Sequence, residues 1–200
     1  MITVTEDRFR LAEAFTISRG SKTEAQVLTV RKGSGRVTGW GECVPYARYG
    51  ETLESVRAQI EALPVEIDPE QLLDLMPPGA ARNAVDCALL DHMAKAAGHR
   101  LWDIFTLWPP RPVITAYTLS LAAPEAMQDA AARNAHRPIL KIKLGTPDDM
   151  PRLEAVRAGA PKARLIIDAN EGWTPEVYTD LAPHLLRLGV ELVEQPFPAG

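Results

Sequence analysis

The sequence predicts an α/β protein in two parts, a small α+β unit over residues 1–111 and repeated strand–helix units over residues 112–200. In the second part, strand-like segments begin near Val113, Ile139, Leu165 and Val190. Their spacing of 25 or 26 residues is about the length of one strand followed by one helix. A proline opens each helical stretch between them, and three strand-like segments precede the helices of the first part.

The first part opens with three predicted strands, over residues 3–15, 24–32 and 36–42. Each contains β-branched residues and a partial alternation of apolar and polar side chains, which is typical of a half-buried strand. The sequence Lys32-Gly33-Ser34-Gly35 predicts a turn between the last two strands, because glycine accepts the backbone angles that tight turns need. These segments supply the β part of the α+β unit.

Two predicted helices supply its α part. The first covers residues 52–63, with Thr52 as its N-cap, and ends before a proline. The second covers residues 80–97, carries apolar side chains on one face and stops at Gly98. Residues 100–112, which are rich in proline and tryptophan, predict a connector to the second part.

In the second part, the predicted helices cover residues 124–136, 147–158 and 175–188. Thr146 and Thr174 precede two of the opening prolines and are good N-caps, and Gly189 suits the position after the third helix. Pro183 lies inside the third helix and predicts a kink or a break there, because proline cannot donate the helical hydrogen bond.

Repeated strand–helix units imply a parallel sheet with right-handed crossovers, either a barrel or an open doubly wound sheet. In barrel enzymes the chemistry gathers at the C-terminal ends of the strands. We count four strands before Gly200, whereas a closed barrel needs eight. The sequence therefore predicts either a barrel that is incomplete in this chain or an open sheet.

The composition is that of an ordinary globular protein, with 46% hydrophobic and 24% charged residues. A net charge of −4 with both signs interspersed argues against a nucleic-acid partner, and no apolar run approaches the length of a membrane span. Cys43 and Cys87 form no CxxC motif, which favours a reducing compartment. We therefore expect a cytoplasmic protein with neither a nucleic-acid nor a membrane partner.

Three of the predicted strands end in side chains that metal-assisted proton abstraction requires. Lys143, Asp168 and Glu194 are separated by 25 and 26 residues, so we expect them at the tips of neighbouring parallel strands. Lys141 alternates with Lys143 and should share its face of the strand. If the two ammonium groups lie close together, each lowers the pKa of the other, which favours a neutral amine as base. The alternative is a pair of solvated lysines on an edge strand.

Asp168 and Glu194 are the candidate ligands of a hard divalent cation. Mg²⁺ suits them, because it prefers oxygen donors and keeps part of its water shell. A softer metal is disfavoured, since no cluster of Cys and His accompanies them in the sequence. The alternative is that each carboxylate caps a helix or forms a salt bridge. Asn170 either supports the metal ligands or shapes an Asx turn, and we interpret Glu171 and Trp173 as loop residues.

These residues resemble the enolase superfamily in its muconate-lactonising subgroup, and most closely the L-Ala-D/L-Glu dipeptide epimerases. The KxK motif with the two carboxylates is specific for the superfamily. The strings at residues 15–21, 41–46, 48–51 and 79–84 indicate the dipeptide group, and those at 168–171 and 194–196 add to it. The resemblance spans essentially the whole chain. It implies an N-terminal α+β capping domain (1–111) followed by the first half of a modified TIM (β/α) barrel (112–200).

The resemblance also implies an isomerase of murein-derived dipeptides that acts through a Mg²⁺-stabilised enediolate at the α-carbon of the C-terminal residue. Lys143 would take or return the α-proton, and Lys141 would tune Lys143 and polarise the substrate carboxylate. Asp168 and Glu194 would hold one Mg²⁺. Arg19, which the sequence alone leaves as a surface loop residue, would meet the side-chain carboxylate of the substrate.

In that family, the third metal carboxylate and the opposing lysine come from later strands than this chain contains. We therefore expect the 200-residue chain alone to be inactive, as a two-ligand site with one base. Other interpretations stay open: a cycloisomerase, an N-acylamino acid racemase, a Schiff-base aldolase with Lys143 as nucleophile, or an inactive fragment. A homo-oligomer is also open.

Overall fold

The computed structural model describes residues 1–34 and 37–199. The strands are β1 (Ile2–Ile17), β2 (Gly20–Ser34), β3 (Val37–Cys43), β4 (Tyr117–Leu119), β5 (Ile139–Lys143), β6 (Arg164–Asp168) and β7 (Val190–Glu194). The α-helices are α1 (Leu53–Glu61), α2 (Pro69–Leu75), α3 (Ala80–Ala97), α4 (Leu101–Ile104), α5 (Pro124–Arg133), α6 (Met150–Gly159) and α7 (Pro175–Arg187). The chain divides into two compact units, one of residues 1–10 and 24–111 and the other of residues 11–23 and 112–200.

The N-terminal sheet has the order β1-β2-β3; residues 1–10 of β1 and 24–34 of β2 lie in the first unit, together with β3 and helices α1 to α4. β2 and β3 are antiparallel, with Leu28 opposite Cys43. The core is apolar and includes Leu28, Val30, Val56, Leu72, Val85 and Leu89. The three predicted strands and two predicted helices are therefore confirmed. Gly35 of the predicted turn and Arg36, the predicted start of β3, lie outside the described residues.

Two helices of this unit were not predicted. α2 carries a capping box in which Asp68 accepts from the Gln71 backbone and Gln71 accepts from the Asp68 backbone, and Pro69 opens the helix. That signal was available in the sequence. α4 covers only four residues of the predicted connector. No helix within the described residues is long and apolar enough to cross a membrane.

The second unit contains a parallel sheet in the order β4-β5-β6-β7 with helices α5, α6 and α7. Its core includes Leu140, Ile142, Leu153, Leu165, Ile167 and Trp173. The α/β fold class is therefore confirmed, with an N-terminal antiparallel sheet and a parallel sheet with helices. Within the described residues this sheet has four strands, half the number of a closed barrel.

Some predicted boundaries in this unit are wrong. β4 begins at Tyr117 rather than near Val113, which is 87% exposed and lies before the pairing with β5 starts. α6 begins at Met150 with Asp149 as N-cap, so Thr146 is not the cap. α7 is one continuous helical segment that includes Pro183, so the proline does not break it. Its cap at Thr174 is confirmed, because that hydroxyl accepts from the Val177 backbone.

A bulge in β7 sets the register of the sheet. Leu165 pairs with Val190, an offset of 25 residues, but Ile166 pairs with Leu192, an offset of 26. The extra residue shifts every later position of β7 by one. The shift brings Glu194 opposite Asp168. Because side chains alternate between the two faces of a strand, the shift also puts the Glu194 side chain on the same face of the sheet as that of Asp168.

Candidate active site

Lys143, Asp168 and Glu194 end three adjacent strands and lie in one row. Lys143 is the register partner of Asp168 on β5 and β6, and Asp168 is the partner of Glu194 on β7. Backbone hydrogen bonds continue this row past the strands: the Leu144 amide donates to the Asp168 carbonyl (3.1 Å), and the Ala169 amide donates to the Glu194 carbonyl (3.1 Å). The predicted strand-end positions are therefore correct.

The side chains of this row form one ion-pair network. The Lys143 ammonium donates to Asp168 Oδ2 at 2.6 Å, and the Lys141 ammonium lies 3.1 Å from the same oxygen. Lys141 also donates to Glu194 Oε2. Burial falls along the network: Asp168 and Lys143 expose 3% and 10% of their side chains, Lys141 23% and Glu194 41%. Two cations and two anions thus meet at a site that is closed at Asp168 and open at Glu194.

The pKa values follow from this pairing. Burial alone would raise the pKa of the Asp168 carboxyl, but hydrogen bonds from Lys143, the Asn170 amide and Lys141 hold it below its ordinary value. Burial would lower the pKa of Lys141, yet its bonds to Glu194 and Asp168 raise it above the ordinary value. The expectation that the neighbouring ammonium lowers the pKa of Lys141 is wrong, because the hydrogen bonds and charges of Glu194 and Asp168 raise it.

The donor set suits a hard cation. Asp168 and Glu194 present carboxylate oxygens on adjacent strands, and both already contact a positive charge at Lys141. The Asn170 side-chain oxygen is buried and accepts no hydrogen bond, so it is an oxygen donor without a partner beside the network. Within residues 1–34 and 37–199, however, no group of three or more His, Cys, Asp or Glu side chains could hold a metal ion. Asp168 and Glu194 are therefore two oxygen donors on adjacent strands, fewer than the three that such a group needs.

The loops after β6 and β7 are held in unusual backbone conformations. Asn170, Glu171 and Gln195 have positive φ angles of 48°, 65° and 45°, a region that residues other than glycine seldom adopt. The Glu171 amide donates to the Gln195 carbonyl at 2.7 Å, which locks the two loops together. Strained residues that cluster beside an ion-pair network are typical of functional sites.

Arg19 lies at the same end of the sheet, in the segment of residues 11–23 that belongs to this unit. Its guanidinium donates to the Asn170 carbonyl at 2.5 Å and lies 3.7 Å from Glu171 Oε2. The Ser18 hydroxyl donates to the same carbonyl at 3.2 Å. The six candidate residues from the sequence therefore come together, with Lys141, Lys143, Asp168 and Glu194 in one network and Asn170 and Arg19 beside it.

Two further residues of this region were not identified from the sequence. Asp149 is 1% exposed, and its carboxylate accepts from the Trp173 indole at 2.8 Å. Trp173, interpreted above as a loop residue, is itself 1% exposed. The Thr-Pro-Asp-Asp run between β5 and α6 gave a weak signal, because an Asp before a helix is ordinarily read as a cap.

Two family models match the chain. Mandelate racemase / muconate lactonizing enzyme, N-terminal domain, matches residues 1–105, and Enolase C-terminal domain-like matches residues 122–200. Among curated relatives, the L-Ala-D/L-Glu epimerase of Escherichia coli (strain K12) is 39% identical over 99% of this chain and 64% of its own length. The N-acetyl-D-glutamate racemase of a Pseudoalteromonas species is 38% identical over 81% of this chain and 53% of its own length. The chain thus spans between about half and two thirds of these relatives.

Solved structures agree. An enolase family member from Agrobacterium tumefaciens with homology to dipeptide epimerases, crystallised with bound sodium and L-Ala-L-Glu, matches with a TM-score of 0.96 and 50% identity over 100% of this chain and 62% of that one. The dipeptide epimerase of Enterococcus faecalis V583, complexed with Mg and L-Leu-L-Tyr, matches with a TM-score of 0.87 and 28% identity over 98% and 60%.

These relatives are racemases and epimerases, which are isomerases. The N-terminal match alone covers more than half of the chain, and the second match covers β5, β6 and β7, which carry the ion-pair network. The chain belongs to the mandelate racemase / muconate lactonizing enzyme family of the enolase superfamily.

Proposed function

We propose that this chain is the part of a Mg²⁺-dependent dipeptide epimerase that holds one acid/base lysine and two metal ligands. The observation that supports this proposal is the network of Lys143, Lys141, Asp168 and Glu194 at the ends of three adjacent strands. The proposed reaction moves the α-proton of the C-terminal residue of a dipeptide of the L-Ala-D/L-Glu type, in the cytoplasm. Whether the protein is a homo-oligomer stays a prediction.

The α-proton of such a dipeptide is very weakly acidic, because its removal places a second negative charge on the adjacent carboxylate. Asp168 and Glu194 would hold the Mg²⁺ and Asn170 would support them; the bound ion supplies positive charge that offsets this second negative charge. A positioned base typically contributes ~10²–10⁴-fold in rate. Neither effect is sufficient alone, so the lysines and the carboxylates have to converge.

Lys143 is the proposed base. Its Nζ is held by Asp168 at 2.6 Å and lies 5.7 Å from the centre of the Phe15 ring, which limits the positions that the amine can adopt. Lys141 is more exposed and its raised pKa keeps it protonated, so it is suited to polarise the substrate carboxylate rather than to accept a proton. The two lysines therefore have different proposed roles on one strand.

Arg19 is the proposed contact of the substrate side chain. It lies next to the Asn170 carbonyl, two residues beyond Asp168, and its charge suits the side-chain carboxylate of Glu. L-Ala-Glu and N-acetylglutamate are both N-acyl derivatives of glutamate, so the two curated relatives described above act on related substrates. An N-acylamino acid racemase is accordingly the second candidate function, supported by the 38% identity to the N-acetyl-D-glutamate racemase.

Deuterium uptake tests the proposal. The protein that contains this sequence is incubated in D₂O with Mg²⁺ and, separately, with L-Ala-L-Glu, L-Ala-D-Glu and N-acetyl-D-glutamate, and exchange at the α-carbon is followed by proton NMR. We expect exchange from the dipeptides, its loss on removal of Mg²⁺, and its loss from one epimer in Lys143→Ala. Faster exchange from N-acetyl-D-glutamate would select the second candidate. Exchange that is unimpaired in Lys143→Ala would refute the assignment of the base.

A further inference from the structure

The loops that follow β5 and β6 meet at one buried carboxylate, which the proposed reaction does not use, and the loop after β7 contacts one of its partners. Asp149 lies between β5 and α6 and is 1% exposed. Its Oδ2 accepts from the backbone amides of Gly145 (2.7 Å) and Thr146 (2.8 Å) and from the Trp173 indole (2.8 Å). Its Oδ1 accepts from the Thr146 hydroxyl (2.8 Å) and lies 3.3 Å from Arg152 Nη1. Such a set of donors stabilises a charged carboxylate without solvent.

These bonds join two loops that also touch through their backbones. A Cβ on Gly172 would lie 2.3 Å from the Gly145 carbonyl oxygen, so the loop after β5 and the loop after β6 are separated by no side chain at this point. Trp173 extends the connection to the third loop, since its backbone amide donates to the Pro196 carbonyl at 3.0 Å. The carboxylate of Asp149 is therefore linked to all three strand ends that carry the network.

We propose that Asp149 is a positioning residue that fixes the relative placement of the strand-end loops, and through them of Lys143, Asp168 and Glu194. Lys143 lies two residues before Gly145, and Glu194 lies two residues before Pro196, so a shift of either loop moves a member of the network. The claim that these loops place reacting side chains rests on the proposed function. The claim that Asp149 connects the loops does not depend on it.

Amide hydrogen exchange of the 200-residue chain tests this proposal without substrate or metal. Asp149→Ala leaves the amides of Gly145 and Thr146 and the Trp173 indole without their acceptor. We expect about tenfold or faster exchange in peptides that cover residues 144–149, 169–173 and 194–199. In Asp149→Asn, one side-chain oxygen can still face the three N–H donors, so we expect protection of residues 169–173 to return. Leu185→Ala, a core substitution in α7 outside these three loops, is the control for lost stability.

An effect of Asp149→Ala that is confined to residues 144–149, or that Leu185→Ala reproduces at equal global stability, would overturn the proposal. Trp173→Phe keeps the test decisive if Asp149→Ala fails to fold, because it removes only the indole donor. We expect Trp173→Phe to speed exchange in residues 144–149 as well as in 169–173, and unchanged exchange in 144–149 would refute the link.

Calorimetric titration with Mg²⁺ alone separates this proposal from the proposed function. If both are correct, the unsubstituted chain binds Mg²⁺ and Asp149→Ala weakens that binding about tenfold, while Leu185→Ala leaves it unchanged. If the unsubstituted chain binds no Mg²⁺, the metal part of the proposed function is contradicted, and the exchange result still decides the role of Asp149.

Discussion

At the scale of single residues, the unusual feature is a buried ion pair, because burying a charge is unfavourable unless a partner of opposite charge compensates it. Asp168 is 2% exposed and depends on the two lysines for its charge, whereas Arg164 and Glu191 form an ion pair in solvent on the same sheet. A buried charge that loses its partner is strongly destabilising, but an exposed pair contributes little. The charge of Asp168 at the end of β6 therefore depends on its lysine partners, whereas the charges of Arg164 and Glu191 do not depend on each other.

Asp168→Asn tests how much the folded state depends on this buried ion pair. The substitution leaves the Lys143 ammonium, 10% exposed, without its anionic partner, and we expect a loss of about 3 kcal/mol in the free energy of unfolding in urea without metal. Because the pKa of Asp168 is lowered in the folded state, its contribution is present at neutral pH and is lost as the pH falls through the acid range. Glu191→Gln on β7 is the matched control and should have almost no effect. Equal losses in the two variants would contradict this assignment.

Cys43 gives a second prediction at this scale, in the core of the first unit. Burial, and then the charges of Glu51 and Glu42, raise the pKa of its thiol from 9.0 to about 11. A raised pKa of this kind favours the folded state below pH 9, and that advantage is lost as the pH rises towards 11. We expect on the order of 1–2 kcal/mol, allowing for solvent screening, from urea unfolding between pH 8 and 11.

Cys43→Ala should remove this part of the alkaline loss, whereas Cys87→Ala, which alters an exposed thiol, should retain most of it. If Cys43→Ala and the unsubstituted chain lose stability equally above pH 9, the buried thiol is not the group responsible.

At the scale of elements, the sequence predicted the strands and helices well, because the signals for each lie within the element itself. The spacing of 25 and 26 residues located the ends of β5, β6 and β7, and the one-residue difference corresponds to the bulge between β6 and β7. The loops were less predictable, because their contacts join residues far apart in the chain. Asp149 and Trp173 are 24 residues apart, and neither carries a local signal that names the other.

The contact of the loops after β5 and β6 gives a prediction at this scale. Gly172→Ala places a methyl group against the Gly145 carbonyl, and we expect a loss of about 1–3 kcal/mol together with weaker Mg²⁺ binding. Gly189→Ala is the control in the same unit: its φ of 67° is unfavourable for alanine, but the new methyl would meet only Arg157 at 3.5 Å. It should cost about 1 kcal/mol and leave Mg²⁺ binding unchanged. Unfolding in urea and metal titration measure both, and equal metal affinities would contradict a role of this contact.

At the scale of the whole molecule, each unit has its own apolar core, and the candidate site is contained in one of them. The core around Leu140, Leu165 and Trp173 supports the sheet that carries the network, and the other core supports α3 and its sheet. The residues that the sequence assigned to the site all fall in the unit of residues 11–23 and 112–200. A binding function of this unit can therefore be tested separately from the full reaction.

Epimerisation requires acid/base groups on both faces of the α-carbon, and an assay of the 200-residue chain can test whether it contains them. Inversion at the α-carbon needs a proton removed from one face and returned to the other, and both lysines of the network lie on β5. We therefore expect the 200-residue chain to bind Mg²⁺ but not to convert L-Ala-L-Glu into L-Ala-D-Glu, as followed by chiral chromatography. The E. coli epimerase is the positive control, and Lys143→Ala of this chain gives the background rate. Conversion above that background by the unsubstituted chain would show that a second proton donor is already present within these residues.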